Sequence, residues 1–228
     1  MVAFNALVYL GLHSTTASNA QLLNSTIPVL VVIVGTLLSG QGLSRHQLGG
    51  LSLSCIGVLT IILHGDIDRL RSLQFSLGDV IVFAAMVSFS LYTVWLREFP
   101  ADIDRLGLLG AQFSIAAAVF APSVVGEFIA GYRATWDFGS VSAMMYVGMA
   151  AGFLANLLYM LGIARIGPIR AGLCIHLVPL YGVIISAILL GEALHVYHAV
   201  GMAMIIAGLS LSQIANPDSA NRESYTNA

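Results

Sequence analysis

The chain has 228 residues, 58% of them hydrophobic and 9% charged, with a formal net charge of −2. Soluble domains carry about 25% charged residues, so this composition, with a mean hydropathy of +0.90, excludes a water-faced globular protein and implies a polytopic membrane protein. All nine basic residues are arginines scattered singly between apolar runs, which excludes a basic face for nucleic acid.

Taken in order, the apolar runs can be tested against the ~20 residues a helix needs to cross a bilayer. Val2–Leu12 is apolar but only about half that length. Seven later runs are long enough: 16–39, 47–64, 78–96, 106–130, 141–164, 168–190 and 197–215. The expected fold is therefore all-α, a transmembrane helix bundle. Residues 216–228 (NPDSANRESYTNA) are polar, begin next to Pro217, and are expected to form a disordered tail. Cys55 and Cys174 each fall inside an apolar run and read as small buried hydrophobes, with neither a disulfide nor a metal site suggested.

The chain also matches itself. At an offset of 151 residues, without a gap, Asn5 meets Asn156, Ala20 meets Ala171, Pro28 meets Pro179, Gly40 meets Gly191, Gly50 meets Gly201 and Gly57 meets Gly208. Glycines, prolines and an asparagine in register are more than apolar composition supplies, so the chain contains an internal duplication. The second copy begins near Leu77, which places the start of the first about 75 residues before Met1. Two helices and half of a third are therefore expected to be missing from the first copy. The expected divisions are 1–64 for the C-terminal part of the first repeat, 65–76 for a connecting loop, 77–215 for the second repeat and 216–228 for the tail.

Alternate loops differ in arginine content. One set holds Arg45, Arg97, Arg105, Arg165, Arg170 and Arg222, the other Arg69, Arg71 and Arg133. Cytoplasmic loops retain positive charge, so the C-terminus is expected in the cytoplasm, in a cell (inner) membrane. Five helices per copy is an odd number, so the two copies run in opposite senses, as inverted-topology repeats do in many secondary transporters.

Three stretches carry a resemblance: ALVYLGLHSTTASNAQLLNSTIP, SLGDVIVFAAMVSFSLYTVWLRE, and ARIGPIRAGLCIHLVPLYGVIISAILLGEALHVYHAVGMAMIIAGL. Together they resemble the EamA-type ten-helix members of the drug/metabolite transporter superfamily, over the whole chain except the tail. The resemblance implies two EamA domains, the first incomplete, and transport of small metabolites such as amino acids, with no cofactor. One departure concerns the acid that the family usually has at the end of the fourth helix of each copy: Glu192 is present, but Gln41 stands in the first copy. Glu192 lies at a helix end and reads as a solvated or capping residue.

A transporter needs a polar path at mid-membrane depth, where polar side chains face the bundle interior. Gln21, Asn24 and Pro28 share one helical face, with Ser25 beside them; Gly172, His176 and Pro179 recur in the same way in the other copy. Asn156 and Tyr159 mark a face of 141–164, while Tyr92 and Gln112 complete the candidate substrate path. Each of these side chains has a plainer reading as an interhelical hydrogen bond, which contributes only about 0.6 to 2 kcal/mol. Paired prolines in corresponding positions favour a central site, because a proline frees a backbone carbonyl that must find a partner or line a cavity. His176 is the only ionisable side chain well inside a span and is the candidate for proton coupling, with a neutral imidazole bonded to a neighbouring helix as the alternative.

His13, His46, His64, His195 and His198 lie near segment ends, and their spacing assembles no metal site. Gly148 and Gly152 form a G-x-x-x-G read as packing within a copy, with a homodimer seam as the alternative. Tyr92, Trp95 and Trp136 fit interface anchors. The rivals to metabolite export are transport of a sugar, a nucleotide-sugar or a drug, an inactive fragment, and an intramembrane lipid enzyme. The last would need a cluster of His, Asp or Glu, whereas the acids here are dispersed, chiefly in loops.

Overall fold

Helix α1 (Val2–Leu12) leads through a turn into α2 (Ala17–Asn24), which stops four residues before Pro28. Proline lacks an N–H and its ring crowds the carbonyl of residue i−4, so the run 16–39 cannot continue as one helix. It restarts as α3 (Ile27–Ser39), with Pro28 in its first turn. At the break the Ser25 hydroxyl donates to the Leu22 carbonyl (2.6 Å) and the Thr26 hydroxyl to the Leu23 carbonyl (2.6 Å). These bonds satisfy polar groups that lipid would leave bare. The same happens one copy later: α9 (Pro168–Leu173), a 3₁₀ turn (Cys174–His176), then α10 (Leu177–Leu190) with Pro179 in its first turn. The breaks fall at corresponding positions, since Ser25 and His176 are 151 residues apart.

The remaining helices are α4 (Arg45–Ile62), α5 (Leu77–Glu98), α6 (Arg105–Ile129), α7 (Phe138–Met145), α8 (Ala155–Ile166) and α11 (Val196–Gln213). Capping boxes start α4 (Ser44 with Gln47) and α5 (Ser76 with Asp79), and Asp104 caps α6. Between α7 and α8 the helix is wound as a π-helix over Tyr146–Leu154, so 138–166 runs on without a break. This computed structural model describes residues 1–39, 44–66, 68, 76–100, 103–131, 136–191 and 193–213. Gln41, Glu192, most of the 65–76 loop and the 216–228 tail lie outside the described residues.

Among the described residues the chain is an all-α bundle in which five helical stretches are long and apolar enough to cross a membrane: Asn19–Leu38, Leu77–Glu98, Arg105–Ile129, Phe138–Ile166 and Pro168–Leu189. The other two expected spans are α4 and α11, of 18 residues each. At 1.5 Å per residue these are about 27 Å long, slightly under the ~30 Å hydrocarbon core.

These two shorter helices pack on one another through glycine. A Cβ on Gly57 would sit 2.7 Å from the Gly201 carbonyl oxygen, and a Cβ on Gly208 would sit 2.6 Å from that of Gly50. In the 151-residue register Gly50 corresponds to Gly201 and Gly57 to Gly208, so each glycine meets the counterpart of the other. That crossed pairing is what an isologous two-fold contact produces, and it makes α4 and α11 an antiparallel seam. Around the seam, Val58, Ile61, Leu180 and Ile205 form one buried cluster, while Ile27, Val31, Val82, Ala85, Met86 and Val94 form another between α3 and α5.

The structure departs from expectation in three places. Gly148 and Gly152 pack no neighbouring helix: a Cβ on Gly148 would meet nothing within 4 Å, and one on Gly152 would meet only the Val147 carbonyl. The physical reason is that this stretch is the π-helix, exposed along most of its length with Ala150 and Gly152 half-buried. Cys174 is exposed and Cys55 half-buried, so only the latter approaches the buried reading. Trp95 and Trp136 are exposed, whereas Tyr92 is turned inward.

Candidate substrate cavity and its central histidine

The helix breaks bring α2 and α10 together at the centre, and a cavity of about 300 Å³ opens between them and the facing ends of α4 and α11. Gln21 lines it from α2, and Pro179, Gly182, Val183 and Ser186 line it from α10. Ile61, Ile62 and His64 close it from the end of α4, with Leu194 and His198 opposite. Among the described residues no carboxylate lines it. Deeper in, a void of about 20 Å³, with room for one water, is bounded by Gln21, Asn24, Ser25, Ile175, His176 and Pro179, among others.

Of the ten candidate path residues, Gln21, Asn24, Ser25, His176 and Pro179 thus surround one connected region. Pro28 is buried in the first turn of α3 beside it. The other four lie elsewhere. Tyr92 donates to Gln112 Oε1 (3.3 Å), and Tyr159 donates to Thr93 Oγ1 (3.0 Å), whose own hydrogen goes to the Phe89 carbonyl (2.9 Å). They form a polar and aromatic layer joining α5, α6 and α8. Asn156 turns back on its own helix and donates to the Gly152 carbonyl (2.6 Å), one of those the π-helix leaves.

His176 is 1% exposed. Its Nδ1 lies 2.8 Å from Ser54 Oγ on α4, and its Nε2–H donates to the Ser25 carbonyl at 3.2 Å. The Ser25 carbonyl is available because the break before Pro28 takes it out of the helical ladder. The two residues that correspond in the duplication are therefore bonded to each other, which puts them where a two-fold between the copies would pass.

The cavity is not symmetric. Val31 corresponds to Gly182, and Gln21 to Gly172. Val31 is fully buried against Gly172, where a Cβ would meet its side-chain carbons at 3.2 to 3.4 Å. Gly182, by contrast, is exposed, and a Cβ there would meet nothing within 4 Å; Gln21 is exposed too. The same contrast separates buried Gly35 from half-buried Ser186. One end of the central site is shut and the other open.

Two clusters escaped the sequence reading. At the cavity mouth the Tyr197 ring sits among three imidazoles, with centroids 5.4 Å from His64, 5.3 Å from His195 and 4.2 Å from His198. His64 holds φ +56°, in the left-handed region that a helix C-terminus usually gives to glycine. The Gly65 N–H reaches the Thr60 carbonyl and the His64 N–H that of Ile61, which terminates α4. The second cluster surrounds Asp79, 3% exposed at the start of α5. Ser76 (N–H to Oδ2, 2.6 Å) and Asn19 (3.3 Å) donate to its carboxylate, as does the Thr15 hydroxyl. The S-x-x-D pattern at 76–79 signalled the cap; nothing local signalled Thr15 and Asn19, some 60 residues away.

The EamA-like transporter family matches at residues 1–63 and 76–213. The chain is 28% identical over 212 residues to a protein of Bacillus subtilis (strain 168) named "Uncharacterized transporter YyaM", covering 90% of this chain and 67% of that one. It is 24% identical to a "Probable terminal-alkyne amino-acid exporter" of Streptantibioticus cattleyicolor, over 92% of this chain and 69% of that one. It is 23% identical to a "Probable amino-acid metabolite efflux pump" of Salmonella typhimurium, over 78% and 61% respectively. The chain thus spans about two thirds of the length of these relatives. A solved crystal structure superposes with a TM-score of 0.77 at 19% identity, over 93% of this chain and 72% of that one, which supports the fold. With both matched stretches covering nearly all of the described helices, the chain belongs to the EamA-like transporter family.

Proposed function

We propose that this chain forms the core of a secondary transporter that exports or exchanges small metabolites, amino acids or related compounds, by alternating access between two inverted repeats. The repeats are taken as 1–64 and 77–215, joined by the 65–76 loop. The carrying observation is the 300 Å³ cavity between the two broken helices, open at Gln21 and Gly182 and shut at Val31 and Gly172. A volume at the lower end of ligand-pocket sizes suits an amino-acid-sized solute. The polar groups of Gln21, Ser186, His64 and His198 offer hydrogen bonds to such a solute. Asp79 and Glu127 lie near span ends, and the lack of an acid at mid-membrane depth in the sequence disfavours cationic drugs. The amino-acid transport named for two relatives points the same way. The arginine bias orients the C-terminus to the cytoplasm, which makes the open end extracytoplasmic.

The test is counterflow of labelled amino acids in proteoliposomes. Gly182→Trp, which fills the cavity from a position where a side chain meets nothing, is expected to lower exchange at least tenfold while the protein stays folded. Exchange unaffected by this substitution contradicts the assignment of the cavity.

A further inference from the structure

We propose that His176, Ser54 and the carbonyls of Ser25 and Leu51 form a proton-binding site in which the imidazole keeps both of its ring hydrogen bonds in either protonation state. The argument is a count of donors. The Ser25 carbonyl can only accept, so Nε2 carries a hydrogen at all times (3.2 Å). Ser54 Oγ has one hydrogen and two neighbours that can take it: His176 Nδ1 at 2.8 Å and the Leu51 carbonyl at 3.0 Å. With a neutral ring, the Ser54 hydroxyl donates to Nδ1. When the Nδ1 lone pair takes a proton, the new N–H donates to Ser54 Oγ, and the hydroxyl hydrogen turns to the Leu51 carbonyl. One hydroxyl rotation absorbs the change, and no group is left without a partner.

A histidine meant only to tie helices together needs one such partner arrangement. This one has two, so the change of charge leaves no ring hydrogen bond unmade and adds no cost of an unsatisfied polar group. The elements packed on the Cys174–His176 turn are α3, α4, α9 and α10. Their titratable and charged groups are Cys55, with Arg45 and His46 at the far end of α4, Arg170 on α9 and Tyr181 on α10; Cys174 lies in the turn itself. No carboxylate stands on any of them. Among the described residues of these elements, then, no acidic group stands to offset the charge gained. As a device that couples protons to transport, the site rests on the reading above; as a proton site it stands without it.

Nitrogen-15 NMR of histidine-labelled protein in detergent, with His176→Gln to assign the ring, separates the two. Between roughly pH 8 and 4.5 the His176 ring is expected to pass from the neutral form with hydrogen on Nε2 to the doubly protonated form. Ser54→Ala, which removes one oxygen, is expected to move that midpoint down by about one pH unit or more, and Ser54→Thr to restore it. A ring that stays neutral throughout, or a midpoint that Ser54→Ala leaves in place, overturns the proton site. If the ring titrates but an imposed pH gradient does not drive counterflow, the site stands and the coupling falls.

Discussion

The two ends of the central site are built from corresponding residues and differ in how they are packed. Val31 fills the space over Gly172 at one end; Gly182 leaves the space before Gln21 unfilled at the other. Only the second difference leaves a cavity. Because interfaces between packed elements favour discrete arrangements, the comparison teaches that asymmetry here arises from two side chains exchanged across a duplicated frame: a valine where the other copy has glycine, and a glutamine where it has glycine. The seam of α4 and α11 does not share the asymmetry, since both glycine pairs are in close approach: a Cβ would meet the partner carbonyl at 2.3 to 2.6 Å for Gly50 with Gly208 and at 2.7 Å for Gly57 with Gly201. On the proposed mechanism the seam is the fixed frame and the ends are what move.

The largest expected effect comes from breaking the frame. Gly57→Leu drives a Cβ to 2.7 Å from the Gly201 carbonyl and 2.9 Å from the Ile205 nitrogen, both backbone atoms that cannot turn aside. Overpacking of that kind costs about 3 kcal/mol or more, which for a chain of this size lowers the melting midpoint in detergent by about 6 to 12 °C. A thermal shift near zero would show that the seam tolerates separation. The smallest effect is expected well away from the comparison, at Thr93→Ala. It removes one interhelical bond to Tyr159, about 0.6 kcal/mol on average in membrane bundles, and should leave transport within about twofold of the parent. A large loss of transport there would move the substrate path toward the α5, α6 and α8 layer and away from the cavity.

How much of this was legible depends on the range of the contact. The two proline breaks were legible because proline's missing N–H acts within four residues; Pro28 and Pro179 each sit in the first turn of a restarted helix. The duplication was legible for the same reason, as glycines and prolines are constrained locally wherever they fall. It placed Gln21, Asn24, Ser25, His176 and Pro179 in one candidate region; all five border the small void, and Gln21 and Pro179 border the larger cavity as well. Tyr92, Gln112, Tyr159 and Asn156 share the polarity of that group, and polarity alone does not tell a cavity from a helix contact. Ser54 was passed over because a serine flanked by leucine and cysteine on α4 carries no sign of a histidine 122 residues away. His64, His195 and His198 were read as separate segment ends, since only the antiparallel seam brings the end of α4 to the start of α11. Gly148 and Gly152 show the opposite case: their spacing pointed to packing within a copy, and among the described residues no other helix meets them.

The most direct test of a site shut at one end and open at the other is accessibility in sealed vesicles. In a background with Cys55 and Cys174 replaced by alanine, Ser186→Cys and Gly35→Cys place a thiol at corresponding positions of the two ends. A membrane-impermeant maleimide applied from the extracytoplasmic side is expected to modify Ser186→Cys at least tenfold faster than Gly35→Cys in the absence of solute. Equal rates, or faster labelling of Gly35→Cys from that side, would contradict the account.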